Sequence, residues 1–141
     1  MTHVPRRNPN SPKLEPMLAD IHERLAGVTI EQLPFDAFVA RYDRPGMLFY
    51  ADPPYFACED DYGAGVFDRG DFARLAELAR GARGKMVISI NDRPEVREIF
   101  ADLHQQAVST TYTLAKCESG SAGELIISNF AIEEPQALRA A

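Results

Sequence analysis

A continuous apolar run of strand length, residues 47–51, ends in an aspartate, two prolines and a tyrosine. Such a run is typical of a strand that is covered on both faces. A second apolar run of this kind spans residues 85–90. Between the two runs, apolar side chains follow Asp68 at helical spacing, and an aspartate in that position can cap the start of a helix. The order strand, helix, strand favours an α/β sheet.

Further helices and strands are predicted on either side of this central segment. Apolar residues three and four positions apart indicate helices, and short runs of residues that favour β-structure indicate strands. A Gly/Ser-rich stretch between the last two strands favours a hairpin, so we expect the sheet to end in antiparallel strands. The predicted elements are a helix with one buried face over residues 14–25, a strand over 28–33, a helical turn over 35–42, a helix over 94–104, and strands over 107–115 and 123–130.

The chain has 141 residues, enough for one domain with a hydrophobic core and too few for two domains of ordinary size. Residues 1–13 are rich in Pro, Asn and Arg, and we expect a disordered lead-in there. Residues 14–130 are expected to form the folded part, and residues 131–141 a frayed tail.

Composition argues against several classes of protein. The net charge of −6 disfavours this chain alone gripping a DNA backbone, because that attraction depends on Lys and Arg. No apolar run approaches the roughly 20 residues of a membrane span, and we expect no secretory signal. The two cysteines have no CxxC spacing and no neighbouring histidines, so a reducing, cytoplasmic setting is predicted. Cys58 and Cys117 lack metal-site spacing and are expected to be free thiols. The histidines have no partner at ligand spacing, so no metal site is predicted.

The residues that follow the first apolar run, Asp52, Pro53, Pro54 and Tyr55, are suited to binding a flat amine. In an open α/β sheet, ligands gather at the carboxyl ends of the strands. Consecutive prolines hold a turn stiffly and leave carbonyl groups free, so a carboxylate and a carbonyl together offer two acceptors to a planar amino group. An aromatic ring beside them can stack on a heterocycle. The alternative is a turn that merely ends the strand.

The sequence ADPPY after an apolar strand resembles motif IV, the DPPY motif, of the amino-methyltransferases that act on DNA. The neighbouring segments resemble, in order, the adenine-specific DNA methylase (Dam-like) family. They are IHERLAGVTIEQ before the motif, VFDRGDFARLAELAR and MVISIND after it, and GELIISNF as a final strand. The resemblance covers residues 14–130, and the acidic loop and RYDRPG look most like phage- or prophage-borne members.

This resemblance implies transfer of the methyl group of S-adenosyl-L-methionine to N6 of adenine in DNA, on a Rossmann-like fold. Asp52 and the Pro53 carbonyl would accept hydrogen bonds from the amino group of an adenine that is flipped out of the duplex. Pro54 would stiffen the loop, and Tyr55 would stack on the base. Asp52 would also lie next to the cofactor.

Parts of the family's pattern are absent from the sequence. Nothing like its cofactor-binding glycine loop (FxGxG) precedes residue 28, and its acid-bearing second strand and DNA-recognition region are missing too. The chain therefore resembles the C-terminal half of the enzyme, a partial methyltransferase fold whose strand before Asp52 has an unpaired edge. Where many relatives place a cofactor-binding acid, this sequence has Pro34, so Asp36 becomes the candidate cofactor ligand. The alternative for Asp36 is a solvated acid at a helix start.

The sequence leaves three hypotheses for function. The first is an adenine-specific DNA methyltransferase, in restriction-modification or another role, present as a truncated chain. Its partners would be DNA, S-adenosylmethionine and a front-half polypeptide, meaning one that carries the glycine loop and the first strands. The second is an inactive remnant. The third is a small protein-interaction domain of the same fold, which uses the exposed strand edge to recruit a partner.

Overall fold

The computed structural model describes residues 11–108 and 123–132 of the chain. Two compact units are distinguished, Met1–Leu33 and Pro34–Ala141. The first unit contains helix α1 (Ser11–Leu25). The second contains, in chain order, α2 (Phe35–Tyr42), β1 (Leu48–Ala51), a 3₁₀ turn (Glu59–Tyr62), α3 (Arg69–Gly81), β2 (Lys85–Asn91), α4 (Pro94–Ile99), β3 (His104–Val108) and β4 (Glu124–Ser128).

Helix α1 is confirmed, but it begins at Ser11, inside the segment expected to be a disordered lead-in, and residues 1–10 lie outside the described residues. Its apolar side chains, among them Leu18 and Ile21, are exposed, so the prediction of one buried face is wrong. The described part of this unit has no second helix or strand against which that face could pack. The strand predicted over residues 28–33 is also wrong. Apolar and polar residues alternate there, but such a segment forms a strand only where a neighbouring strand supplies hydrogen bonds.

Four strands form one mixed sheet in the order β1-β2-β4-β3. β1 and β2 are parallel, whereas β4 is antiparallel to both of its neighbours. The prediction of an α/β sheet that ends in antiparallel strands is confirmed. Because β1 and β2 run in the same direction, their carboxyl ends lie at the same end of the sheet, and the residues that follow them meet there.

β1 is the edge strand of the described sheet and pairs only with β2. Phe49 is buried, whereas Leu48 and Tyr50 on the opposite face are 62% and 66% exposed. The expectation that this strand is covered on both faces is therefore wrong. Successive side chains of a strand point to opposite faces, and here only one face meets the core. The expected unpaired edge of this strand is present in the described sheet.

The buried core combines the apolar stripe of α3 with side chains of β2 and β4. Phe72, Ile88 and Ile127, one from each element, are fully buried in a single cluster. α3 starts with the predicted cap at Asp68: its carboxylate accepts from the N–H of Asp71, and the Asp71 carboxylate accepts from the N–H of Asp68. This reciprocal pair fixes where the chain leaves the loop after β1 and enters the helix.

Helix α4 ends at Ile99, so the prediction that it continues to residue 104 is wrong. The Gln105 side chain donates to the carbonyls of Arg97 and Phe100 at 3.0 and 2.8 Å. The bond to Arg97 satisfies a carbonyl at the end of the helix. The Phe100 carbonyl also accepts from the backbone N–H of Leu103 at 3.0 Å, and the chain turns into β3 directly afterwards. A side chain from the following strand therefore stabilises the early end of the helix.

The antiparallel pairing of β3 with β4 agrees with the predicted terminal hairpin. β3 starts earlier than the strand predicted over residues 107–115, and β4 lies within the predicted 123–130. Residues 109–122, which include the predicted turn, and residues 133–141, which make up most of the predicted tail, lie outside the described residues.

Candidate active site

Asp52 immediately follows β1, at the carboxyl end of the parallel strand pair, and is exposed. Its Oδ1 accepts a long hydrogen bond from the Ser89 hydroxyl at 3.4 Å. The Tyr50 hydroxyl lies 2.8 Å from the same Ser89 oxygen. Because a hydroxyl has only one proton, Ser89 can donate to Asp52 only while Tyr50 donates to Ser89. Oδ2 of Asp52 accepts no hydrogen bond within the described residues, so this oxygen is available to a ligand.

The loop continues with Pro53 and Pro54, which are buried, and with Tyr55, which is half-buried. The Pro53 carbonyl accepts no hydrogen bond from the described residues. The Tyr55 carbonyl accepts from the backbone N–H of Cys58 at 2.8 Å, which forms a tight turn after the loop. The predicted residues thus place, on consecutive positions at the carboxyl end of the sheet, two acceptors that have no hydrogen-bond partner among the described residues.

Asn91, the last residue of β2, holds the far end of this loop. Its Oδ1 accepts from the N–H of Phe56 at 2.8 Å, and its Nδ2 donates to the Phe56 carbonyl at 3.1 Å. Sequence reasoning gave no role to Asn91 or to Ser89. The signal that could have found them is the presence of polar residues in an otherwise apolar, buried strand, because a buried polar group needs a partner.

The Phe56 ring is covered by Arg69, whose guanidinium carbon lies 4.0 Å from the ring centroid. Arg69 Nε also contacts Glu59 Oε1 at 2.6 Å. Burial raises the pKa of Glu59, but its own backbone N–H and the Arg69 guanidinium lower it more, so this pKa lies below its ordinary value. These contacts join the end of the loop to the 3₁₀ turn and to the start of α3.

A family model described as D12 class N6 adenine-specific DNA methyltransferase matches residues 3–114 of the chain. The match spans most of the sequence and includes the loop and both parallel strands. The chain belongs to this family. The predicted family relationship is therefore confirmed, and with it the assignment as a DNA methyltransferase by family. A search of the curated proteins gave no match.

The D12 class methyltransferase family implies DNA as substrate. The mixed sheet is consistent with a partial methyltransferase fold. Among the residues described, no helix has the length and hydrophobicity needed to cross a membrane. The relationship to phage- or prophage-borne members stays a prediction.

Asp36, the predicted cofactor ligand of this methyltransferase, lies in the first turn of α2. Its Oδ2 accepts from Arg74 Nη2 at 2.7 Å, and its Oδ1 accepts from the N–H of Ala37 at 2.8 Å. Both carboxylate oxygens of Asp36 therefore have protein partners, in contrast to the free Oδ2 of Asp52. A role for Asp36 in binding the cofactor stays a prediction.

Cys58, which follows the loop, is disulfide-bonded, and this contradicts the expectation of free thiols. Cys117, the other cysteine, lies outside the described residues. The spacing of cysteines along the chain can indicate a compact metal site. It cannot show whether two cysteines from distant segments come close enough to form a disulfide. Within the described part of the chain, no group of three or more His, Cys, Asp or Glu side chains is placed to hold a metal ion.

Proposed function

We propose that this chain methylates N6 of adenine in DNA with S-adenosyl-L-methionine as the methyl donor, and that Asp52, Pro53, Pro54 and Tyr55 bind the reacting base. The observation that carries the proposal is a pair of acceptors at the carboxyl end of the sheet, Asp52 Oδ2 and the Pro53 carbonyl, that have no hydrogen-bond partner in the described part of the chain. Membership of an N6 adenine-specific family supports the choice of adenine as the substrate.

The two acceptors match the two N–H bonds of the adenine amino group. When both N–H bonds are held, the nitrogen lone pair is turned out of conjugation with the ring and is oriented for attack, which is catalysis by positioning. The Asp52 carboxylate also stabilises the positive charge that develops on N6. Pro54 stiffens the loop, and the half-buried Tyr55 offers a ring face on which a flipped base can stack.

S-adenosylmethionine, when bound, supplies an electrophilic methyl group on a sulfonium cation. An exposed carboxylate fits a cationic partner, and Asp52 is such a group at this end of the sheet. Asp36 is the second proposed cofactor contact, although it must then bind the cofactor while it also holds Arg74. The sequence has no glycine loop before residue 28, so we infer that a front-half polypeptide supplies the rest of the cofactor site.

The edge of β1 is the proposed attachment point for this front-half polypeptide. β1 pairs with one neighbour only in the described sheet, and Leu48 and Tyr50 are exposed on it. An edge strand offers unpaired backbone groups to which another strand can add. The proposed setting is the cytoplasm, where DNA is accessible to the chain.

The formation of N6-methyladenine in duplex DNA tests the proposal. We expect Asp52→Ala to lower the rate by about 10²-fold or more, because it removes an acceptor that stabilises charge in the transition state. Asp61→Ala is the matched control, since it removes an exposed acid of the nearby 3₁₀ turn and leaves the loop intact. Equal rates for the two variants would exclude Asp52 as a catalytic residue.

A second candidate function, an interaction domain without catalysis, is favoured by the same exposed edge of β1. The assay is therefore run with the chain alone and with an added front-half polypeptide. Methylation only in the mixture supports a split enzyme that is assembled at β1. No methylation in either case, together with no saturable binding of S-adenosylmethionine, supports the second candidate.

A further inference from the structure

Two polar side chains of β2, Ser89 and Asn91, are buried among apolar neighbours. They are 2% and 4% exposed, and Ile88 and Ile90 beside them are fully buried. Residues two apart on a strand lie on the same face, so both polar side chains point to one side of the sheet. A buried polar group is costly unless it is hydrogen-bonded, so the partners of these two side chains explain why they are tolerated there.

Those partners lie at opposite ends of the loop 52–56. Ser89 donates to the Asp52 carboxylate at the start of the loop, at 3.4 Å. Asn91 bonds to both the N–H and the carbonyl of Phe56 at the end of the loop, at 2.8 and 3.1 Å. One strand therefore holds both ends of the segment that carries the candidate site.

The loop has little means of holding itself. Pro53 and Pro54 have no N–H, and no backbone hydrogen bond joins two residues of the segment 52–56. Its conformation therefore depends on bonds from outside, and Asn91 supplies two of them. The Pro53 carbonyl takes part in neither of these bonds and accepts no hydrogen bond from the described residues.

We propose that Asn91 and Ser89 are positioning residues that hold the loop 52–56 in the conformation that binds adenine. Asn91 fixes the backbone at Phe56 and, through it, the direction of the Tyr55 ring and of the Pro53 carbonyl. Ser89 holds Asp52 Oδ1, and Oδ2, which has no hydrogen-bond partner among the described residues, accepts from the amino group. This inference rests on the proposed function, because it concerns the same site.

The chain contains a matched control for Asn91. Asn129 makes the same kind of paired hydrogen bonds at the other end of β2. Its Oδ1 accepts from the N–H of Met86 at 2.8 Å, and its Nδ2 donates to the Gly84 carbonyl at 3.0 Å. None of these bonds reaches the loop. Asn129→Ala therefore removes an equivalent pair of bonds without releasing the site.

The first test measures amide hydrogen exchange of the full chain by NMR. We expect Asn91→Ala to speed exchange at the Phe56 amide by about tenfold or more relative to Asn129→Ala. Asn91→Asp keeps an acceptor for this N–H, so we expect it to restore most of the protection. Equal protection of Phe56 in the two alanine variants would overturn the proposal, whatever the methylation assay gives.

The second test is steady-state methylation, with the front-half polypeptide added if it is required. We expect Asn91→Ala to lower kcat by about tenfold with little change in KM for S-adenosylmethionine, and Asn129→Ala to leave both unchanged. Loss of Phe56 protection with an unchanged kcat would reduce Asn91 to a structural role and overturn the proposal. If no protein methylates DNA, including the unmodified chain, the proposed function fails, and the exchange experiment still decides whether Asn91 holds the loop.

Ser89→Ala tests the other end of the loop, with Ser128→Ala as its control. Ser128 is also a buried serine, but its hydroxyl donates at 2.6 Å to the carbonyl of Phe130, which lies two residues further along the chain and not in the loop. We expect the ¹³C shift of the Asp52 carboxylate to change in Ser89→Ala and to stay constant in Ser128→Ala. An unchanged Asp52 signal in Ser89→Ala would remove Ser89 from the proposal.

Discussion

The two ends of strand β2 are built from the same parts and serve different purposes. At each end, an asparagine bonds through both of its polar side-chain atoms to backbone groups, Asn129 at the amino end and Asn91 at the carboxyl end. At each end, a cation also lies over an aromatic ring, Lys85 over Phe130 and Arg69 over Phe56.

The difference lies in what is held. At the amino end, the bonds hold the turn that leads into β2, and Asp43 accepts from the N–H groups of Arg83 and Gly84 in that turn. At the carboxyl end, the bonds hold a loop that comes from another strand and carries an exposed carboxylate with a free oxygen. An asparagine that bonds to backbone groups through both of its side-chain atoms therefore does not by itself mark a candidate site; the carboxyl end of β2 differs by the acceptors beside it that have no partner among the described residues.

The largest effect on stability is expected at the amino end, from Gly84→Ala. An added Cβ would lie 2.9 Å from the Met47 carbonyl oxygen and 3.2 Å from the Arg44 carbonyl oxygen, so backbone would have to move. We expect a loss of about 1–3 kcal/mol in the free energy of unfolding, measured with urea. Gly81→Ala is the control, because its Cβ would meet nothing within 4 Å. A loss of equal size in both variants would show that the close approach at Gly84 is unimportant.

The amino end should also respond to acid. The backbone N–H groups of Arg83 and Gly84 lower the pKa of Asp43 below its ordinary value of 3.8. Because the folded-state pKa is lower than the unfolded one, the Asp43 carboxylate stabilises the fold above the unfolded pKa, and this contribution is lost as pH falls through the folded pKa. We therefore expect Asp43→Asn to destabilise the chain at neutral pH and to have a smaller effect at about pH 3.

The control for the acid experiment is Asn129→Ala. It removes hydrogen bonds that a neutral amide side chain makes at the same end of β2. An amide does not titrate in this range, so its loss should lower stability equally at both pH values. If Asp43→Asn behaves in the same way as Asn129→Ala, the hydrogen bonds of Asp43 do not depend on its charge, and the assigned cause of the pKa shift is wrong.

The smallest effect is expected from the cations that lie over aromatic rings. Arg69→Ala removes the contact with Phe56 at 4.0 Å and the ion pair with Glu59, so we expect a loss of about 0.5–1 kcal/mol in urea unfolding. Lys85→Ala should cost less, because its nitrogen lies 4.7 Å from the Phe130 ring. A larger loss for Lys85→Ala than for Arg69→Ala would contradict the view that the loop end needs the stronger support.

Most of the elements of the second unit were predictable from sequence because each depends on local chemistry. The Asp68 cap, the apolar stripe of α3 and the apolar run of β2 are all encoded within a few residues. The loop 52–56 was also predictable, because its acid and two prolines follow an apolar strand directly and are neighbours in the chain. The features that sequence reasoning missed or placed wrongly depend on contacts between distant segments.

The chain's own sequence determined its family, the strand-loop-helix order around Asp52 and the presence of two acceptors on consecutive residues, because periodicity, proline and capping chemistry act over short distances. Tertiary structure alone decided which face of β1 is left exposed, that Gln105 bonds to carbonyls at the end of α4, that Cys58 is disulfide-bonded and that Asn91 bonds to Phe56. These outcomes require a partner far along the chain. Only folding brings a buried polar group and the backbone that satisfies it together.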